Sequence, residues 1–160
     1  MSRPHERLAA LLIFTVACTS TPQPTPTAVA TASQADPTAA VALVLPGAPT
    51  SPCRGTSPDE VYRRARGCPI TERLEQRAHS SALAGMNPMC RCQSAAQMDV
   101  GTATVSGTSA TVPVTVRTPT PYVITFALVS QGGQWLVDDT WCGNNQATTI
   151  YRDPVATCGR

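Results

Sequence analysis

Hydrophobic and polar positions change their period twice along this chain. Leu8 to Ala17 form ten consecutive apolar-leaning residues, after which the sequence turns to threonine, proline and alanine. From residue 68 the apolar spacing is helical: Ile70, Leu74 and Ala78 recur every four positions and put one stripe toward a core. Beyond Cys92 the spacing drops to two. Met98 and Val100, then Val112, Val114 and Val116, then Tyr122, Ile124, Phe126 and Leu128, then Trp135 and Val137 each predict a strand with one buried face.

The breaks between these runs carry turn chemistry. Ser106-Gly107, the stretch 118–121 and Gly132-Gly133 separate the strands, and the glycine pair suits a tight hairpin with positive backbone angles. Pro113 has no N–H to give a ladder, which predicts an edge strand or a bulge at that position. Ser57-Pro58-Asp59-Glu60 reads as a capping box that opens a short helix through Val61, Tyr62 and Ala65, stopped by Gly67. Gly85 and Asn87-Pro88 close the second helix. The expected architecture is α+β: two N-terminal helices packed on one face of an antiparallel meander of about four strands.

The first apolar run addresses location. Arg3 and Arg7 precede it and Ala17 closes it, the pattern of an export signal over residues 1–17. Ten residues are too few for a bilayer-spanning helix, which needs about 20. Thr15-Val16-Ala17-Cys18 resembles the lipobox of bacterial lipoproteins, in which a cysteine after small residues is lipidated and becomes the new N-terminus. The resemblance implies a lipid on Cys18 and a protein held at the outer face of the cell membrane, or in the outer membrane or periplasm. Ordinary signal cleavage and free secretion are the alternative.

Residues 18–52 then read as a tether. Apart from Asp36 they are uncharged and rich in Thr, Pro and Ala, too poor in large apolar groups to offset the entropy of ordering. The island from Val41 to Leu45 is an alternative docking strand. Residues 53–160 have the length of one domain. Val, Ile, Leu, Met, Phe and Trp make up roughly a fifth of it, a thin core by usual composition.

Cysteine offers a supplement to that core. The chain has seven; with Cys18 lipidated, Cys53, Cys68, Cys90, Cys92, Cys142 and Cys158 remain, an even set that can oxidise completely outside the cytosol. A bridge between Cys90 and Cys92, one residue apart, is disfavoured by strain, which leaves twelve of the fifteen pairings. The favoured arrangement joins Cys90 and Cys92 to Cys68 and Cys142, with Cys53–Cys158 tying the ends. The same thiols with His79 could hold zinc or serve redox chemistry, readings that an export signal disfavours; no metal and no cofactor are expected.

The strand Gly132-Gly133-Gln134-Trp135-Leu136-Val137-Asp138-Asp139, following two helices and a meander, resembles the last strand of the nuclear-transport-factor-like superfamily, with its cystatin-like cone. That resemblance implies a pocket within the sheet. Tyr122, Trp135, Trp141 and Asp138 are its candidate lining residues, and an unidentified small ligand or protein the candidate partner. Superfamily enzymes use an acidic base, but no catalytic residue transfers by position. Asp138 and Asp139, adjacent in a strand, are expected on opposite faces. His79 stands on a polar helix face. The expectation is therefore a non-catalytic binding or structural domain, with a small acid-base pocket enzyme as the alternative.

Charge adds an exclusion. The net charge is +2 over 160 residues, and all twelve basic residues are arginine. No basic stripe interleaved with aromatics is present, so nucleic acid is not an expected partner.

Overall fold

The computed structural model describes residues 36–55, 60–83, 87–92, 97–153 and 157–158. They form two α-helices, α1 (Pro37–Val44) and α2 (Glu72–Leu83), and five strands, β1 (Gln97–Val100), β2 (Thr104–Ser106), β3 (Ser109–Arg117), β4 (Tyr122–Gln131) and β5 (Gln134–Cys142). The class is α+β. The export segment, Cys18, the capping box at 57–59 and Gly85 lie outside the described residues.

The strands make one antiparallel sheet in the order β1-β3-β4-β5, with β2 also paired to β3. β1 and β2 are one edge strand in two pieces: Val100 pairs with Val114, and pairing resumes at Thr104 with Thr111. Pro113 explains the interruption. It lies in an interior strand, and its carbonyl accepts from Gly101 N–H at 2.8 Å, so the face of its missing N–H looks into the gap at 101–103. Glycine suits position 101, because a β-carbon there would meet the Pro113 ring and carbonyl at 3.0 Å and press on both. The meander thus has one strand more than the alternation predicts, since the ladder breaks where proline cannot pair.

Alternation does predict the core. Val112, Val114 and Val116 on β3 lie opposite Phe126, Ile124 and Tyr122 on β4; all but the half-buried Tyr122 are fully buried. Each such aliphatic or aromatic side chain contributes about 1.5–3 kcal/mol when removed from water. β5 continues this face with Trp135, Val137 and Thr140, but only because the register shifts between Ala127 and Leu128: Leu128 pairs with Val137, Ala127 with Asp139, and Asp138 is the extra residue of a bulge.

The segments before the sheet depart further from expectation. Residues 37–44, read above as tether or docking strand, are a helix that buries Ala40, Val41 and Val44 against the sheet. Asp36 caps it by accepting from Thr38 N–H at 2.8 Å, and Pro37 occupies the first turn. The helix expected through Val61 and Tyr62 is absent. Tyr62 instead has φ 56° and a buried ring whose hydroxyl donates to Asn87 Oδ1 at 3.2 Å. Burial of that ring overrides local propensity and leaves only a 3-10 turn, Arg64–Arg66, closed by left-handed Gly67. α2 carries the Leu74 and Ala78 part of the expected stripe, both fully buried, whereas Ile70, also fully buried, precedes the helix and bridges to Val137.

The cysteines pair as Cys53–Cys68, Cys90–Cys92 and Cys142–Cys158, not as expected. The objection to joining Cys90 and Cys92 assumes ordinary backbone between them. Arg91 has φ 51°, and this left-handed residue folds the chain back so that the two Cα atoms stand 5.1 Å apart, within disulfide range. The outer bridges span 15 and 16 residues; loops of that size contribute about 3 kcal/mol by restricting the unfolded chain, whereas the smallest loop contributes roughly half as much by the same relation.

Candidate functional site

The open edge of β5 is where the wrapping segments converge. Val137 donates to Pro69 O and accepts from Thr71 N–H, both at 2.9 Å, and farther along Thr140 O accepts from Ile150 N–H at 3.0 Å. An edge that would otherwise invite foreign strands is covered from both sides. Between these two seals sits the bulge carrying Asp138 and Asp139.

Asp138 is clamped from α2. Thr71 starts that helix, its Oγ1 accepting from Leu74 N–H at 3.3 Å, and donates the same hydroxyl to Asp138 Oδ1 at 2.8 Å. Arg73 donates Nε–H to Asp138 Oδ1 at 2.7 Å and a second N–H to Oδ2, a two-pronged ion pair. The guanidinium lies 4.7 Å from the centroid of Tyr151, whose hydroxyl donates to Asp138 O at 2.8 Å. Pairing with Asp138 raises the already high pKa of Arg73, and burial pushes the Tyr151 hydroxyl up. Both carboxylate oxygens of Asp138 are therefore engaged by the start of α2, while its main-chain oxygen ties the C-terminal segment to the sheet.

Asp139 faces a different recess, about 360 Å³, lined by Asp139, Trp141, Gln146, Ala147, Thr149 and Arg152. Its Oδ1 accepts from Thr140 N–H at 2.7 Å and Ile150 N–H at 3.3 Å. Burial nonetheless raises its pKa, the two amides and the nearby Arg73 opposing. Asp138 lines a separate recess of about 530 Å³ with Thr71, Arg73 and Gln131. Strict alternation does not operate across the bulge, yet the two carboxylates still do not line one recess.

No known protein family, curated protein or solved structure matches this chain.

The four candidate pocket residues are not brought together. Tyr122 begins β4 and donates to Cys90 O at 3.0 Å; Trp135 packs in the core opposite Ser130. Eight residues of strand separate Tyr122 from Ser130, roughly 27 Å. Trp141 lines the Asp139 recess, and Asp138 the recess beside it. His79 is half-buried on α2 and lines neither. Among the described residues no three His, Cys, Asp or Glu side chains gather as metal ligands, and no helix is long and apolar enough to cross a membrane.

Sequence reasoning passed over Thr71, Arg73 and Arg91. Thr71 was legible as a cap, a hydroxyl residue ahead of Glu72 and the Leu74 stripe. Arg91 carried no signal. Its side chain is 2% exposed, donating to Thr140 O and Asp153 O at 2.9 Å each, with Nε unpartnered. Burial lowers its pKa, against the pull of Asp139 and Asp153.

Proposed function

We propose that this chain is an exported lipoprotein, anchored through a lipid on Cys18, whose α+β domain binds or supports a partner and carries no catalysis. One observation carries the reading: the six cysteines from Cys53 to Cys158 pair among themselves, so no bridge requires the seventh. Cys18 stands after an apolar run preceded by Arg3 and Arg7, where a lipid is the modification that uses it. Complete pairing also supports residence in an oxidising compartment. The order of helices, meander and terminal Trp135-to-Asp139 strand is in keeping with a cystatin-like domain.

The acids favour binding over catalysis. Asp138 is engaged by Thr71 and Arg73, and Asp139 by two main-chain amides, so both have structural duties. The Asp139 recess, with an indole, an amide and a guanidinium around it, suits a small polar ligand. The acid-base alternative draws on one feature, the raised Asp139 pKa, and requires Asp139→Asn to abolish turnover of some substrate.

Metabolic labelling with an alkyne fatty acid tests the anchor. The wild-type chain is expected to carry the label and sediment with membranes, and Cys18→Ser to lose both. A mature chain that begins before residue 18, or unlabelled protein with free thiols in the domain, overturns the proposal.

A further inference from the structure

The three bridges stand in different relations to the fold. Cys53–Cys68 and Cys142–Cys158 join residues 15 and 16 apart in sequence. Cys90–Cys92 closes a ring around a single residue, Arg91, held at φ 51°. A non-glycine residue is strained there, and a bridge around one residue restrains the unfolded chain less than the two longer loops do.

Hydrogen bonds also hold the turn that carries this ring. Asn87 donates N–H to Cys92 O at 3.0 Å, and Asn87 O accepts from Arg91 N–H at 2.9 Å. Asn87 Oδ1 collects Met89 N–H at 2.9 Å and Cys90 N–H at 3.2 Å. Tyr122 donates to Cys90 O, while Arg91 reaches across to Thr140 O and Asp153 O. Met89 is fully buried. None of those contacts runs through either sulfur, so the turn has ties of its own besides the bridge.

We propose that Cys90–Cys92 is a thiol–disulfide exchange site whose partner is a dithiol, and that it opens and recloses on an intact fold. The inference stands whether or not Cys18 is lipidated. Cys90 is fully buried and Cys92 half-buried, which makes Cys92 Sγ the point of attack. A thiolate of the partner bonds to Cys92 Sγ; the Cys90–Cys92 bond breaks, and its electron pair leaves on Cys90 Sγ, which takes a proton from solvent. A monothiol adduct reverts, because the released Cys90 thiolate is held beside it at high effective concentration. With a dithiol, the second thiolate attacks the partner's own sulfur in the mixed disulfide, and the electron pair leaves on Cys92 Sγ. Two electrons and the two protons of the dithiol pass to the protein, and the partner departs as a disulfide.

The full chain, oxidised and purified, is to be equilibrated in graded mixtures of reduced and oxidised dithiothreitol, quenched, alkylated and mapped by peptide mass. Cys90 and Cys92 are expected to be half-reduced at a dithiol-to-disulfide ratio at least tenfold lower than either other pair, about 30 mV for a two-electron couple. Circular dichroism is expected to show the sheet retained at that point. Simultaneous reduction of all three bridges, or loss of the sheet as Cys90–Cys92 opens, overturns the proposal. The site of attack is read with glutathione disulfide on the two single variants: the remaining thiol of Cys90→Ser is expected to form the adduct at least tenfold faster than that of Cys92→Ser. The reverse order would falsify the assignment to Cys92.

Discussion

Residues 97–142 and residues 36–92 are built on different physics, although both face the same core. Across β3 and β4, alternate side chains turn inward while the backbone ladder pairs continuously, and β5 joins them with one bulge at Asp138, so pattern and hydrogen bonding largely specify one another. Among the described residues, the earlier segments have no ladder of comparable length. Besides the apolar faces of α1 and α2, they are held by single groups with several partners: Asn87 Oδ1, the Thr71 hydroxyl and the Arg91 guanidinium. A repetitive region tolerates small errors at many positions, whereas a region of unique contacts depends on a few. The substitutions below separate the two, beginning with the largest effect.

Phe126→Ala strikes the centre of the repetitive region, a fully buried ring between Val112 and Thr140. It is expected to destabilise by about 3–5 kcal/mol, read as a lower urea midpoint with an unchanged slope. Val41→Asp asks whether α1 belongs to the folded unit. In a tether a charge at 41 changes nothing. In the observed helix it buries an unpaired carboxylate, with an expected loss of about 3 kcal/mol. A variant as stable as the wild type would return residues 37–44 to the tether.

The same contrast governs what was legible in the sequence. The meander was, because a two-residue period needs no knowledge of distant partners; Val114, Ile124 and Phe126 announce their face locally. The β5 bulge was not, since Asp138 and Asp139 look like alternating positions until register is known. The first helix failed at Tyr62, where burial against Asn87 outweighs the capping signal five residues earlier. α1 was missed although Asp36-Pro37 carries the cap-and-proline signal applied to Ser57-Pro58. Its surroundings of threonine and alanine masked the spacing of Ala40, Val41 and Val44. As for the site, the residues that share a recess with Trp141, among them Asp139 and Arg152, are assembled by the return of the chain after β5, which leaves no local trace. The cysteine pairing needed the left-handed Arg91, and nothing in Cys-Arg-Cys reveals it.

Arg91 gives the next test. Arg91→Ala removes a buried side chain and two hydrogen bonds to carbonyls, with an expected loss of about 2–3 kcal/mol. Arg91→Gly removes the same contacts but adopts φ 51° freely. The usual order of alanine above glycine should therefore invert, with glycine the more stable by about 0.5–1 kcal/mol. Chemical denaturation of both variants reads the difference. Alanine at or above glycine would mean that the backbone between the two cysteines relaxes once the guanidinium is gone.

The smallest effect belongs to Asp139, and its sign is the informative part. Burial raises its pKa in the folded chain above the ordinary 3.8, so the folded state holds the proton more tightly than the unfolded state. The associated stability is complete below about pH 3.8 and lost as pH rises through the folded value. Asp139→Asn keeps an oxygen to accept from Thr140 and Ile150 but cannot titrate. The wild type should therefore gain on the variant as pH falls from 7 toward 4, by under about 1 kcal/mol given solvent screening of a half-exposed group. Denaturant midpoints for the pair across that range decide it. A difference that runs the other way would show the carboxylate favoured by its amides and by Arg73, and the Asp139 recess would then be a site for a permanent anion rather than a proton-sensitive one.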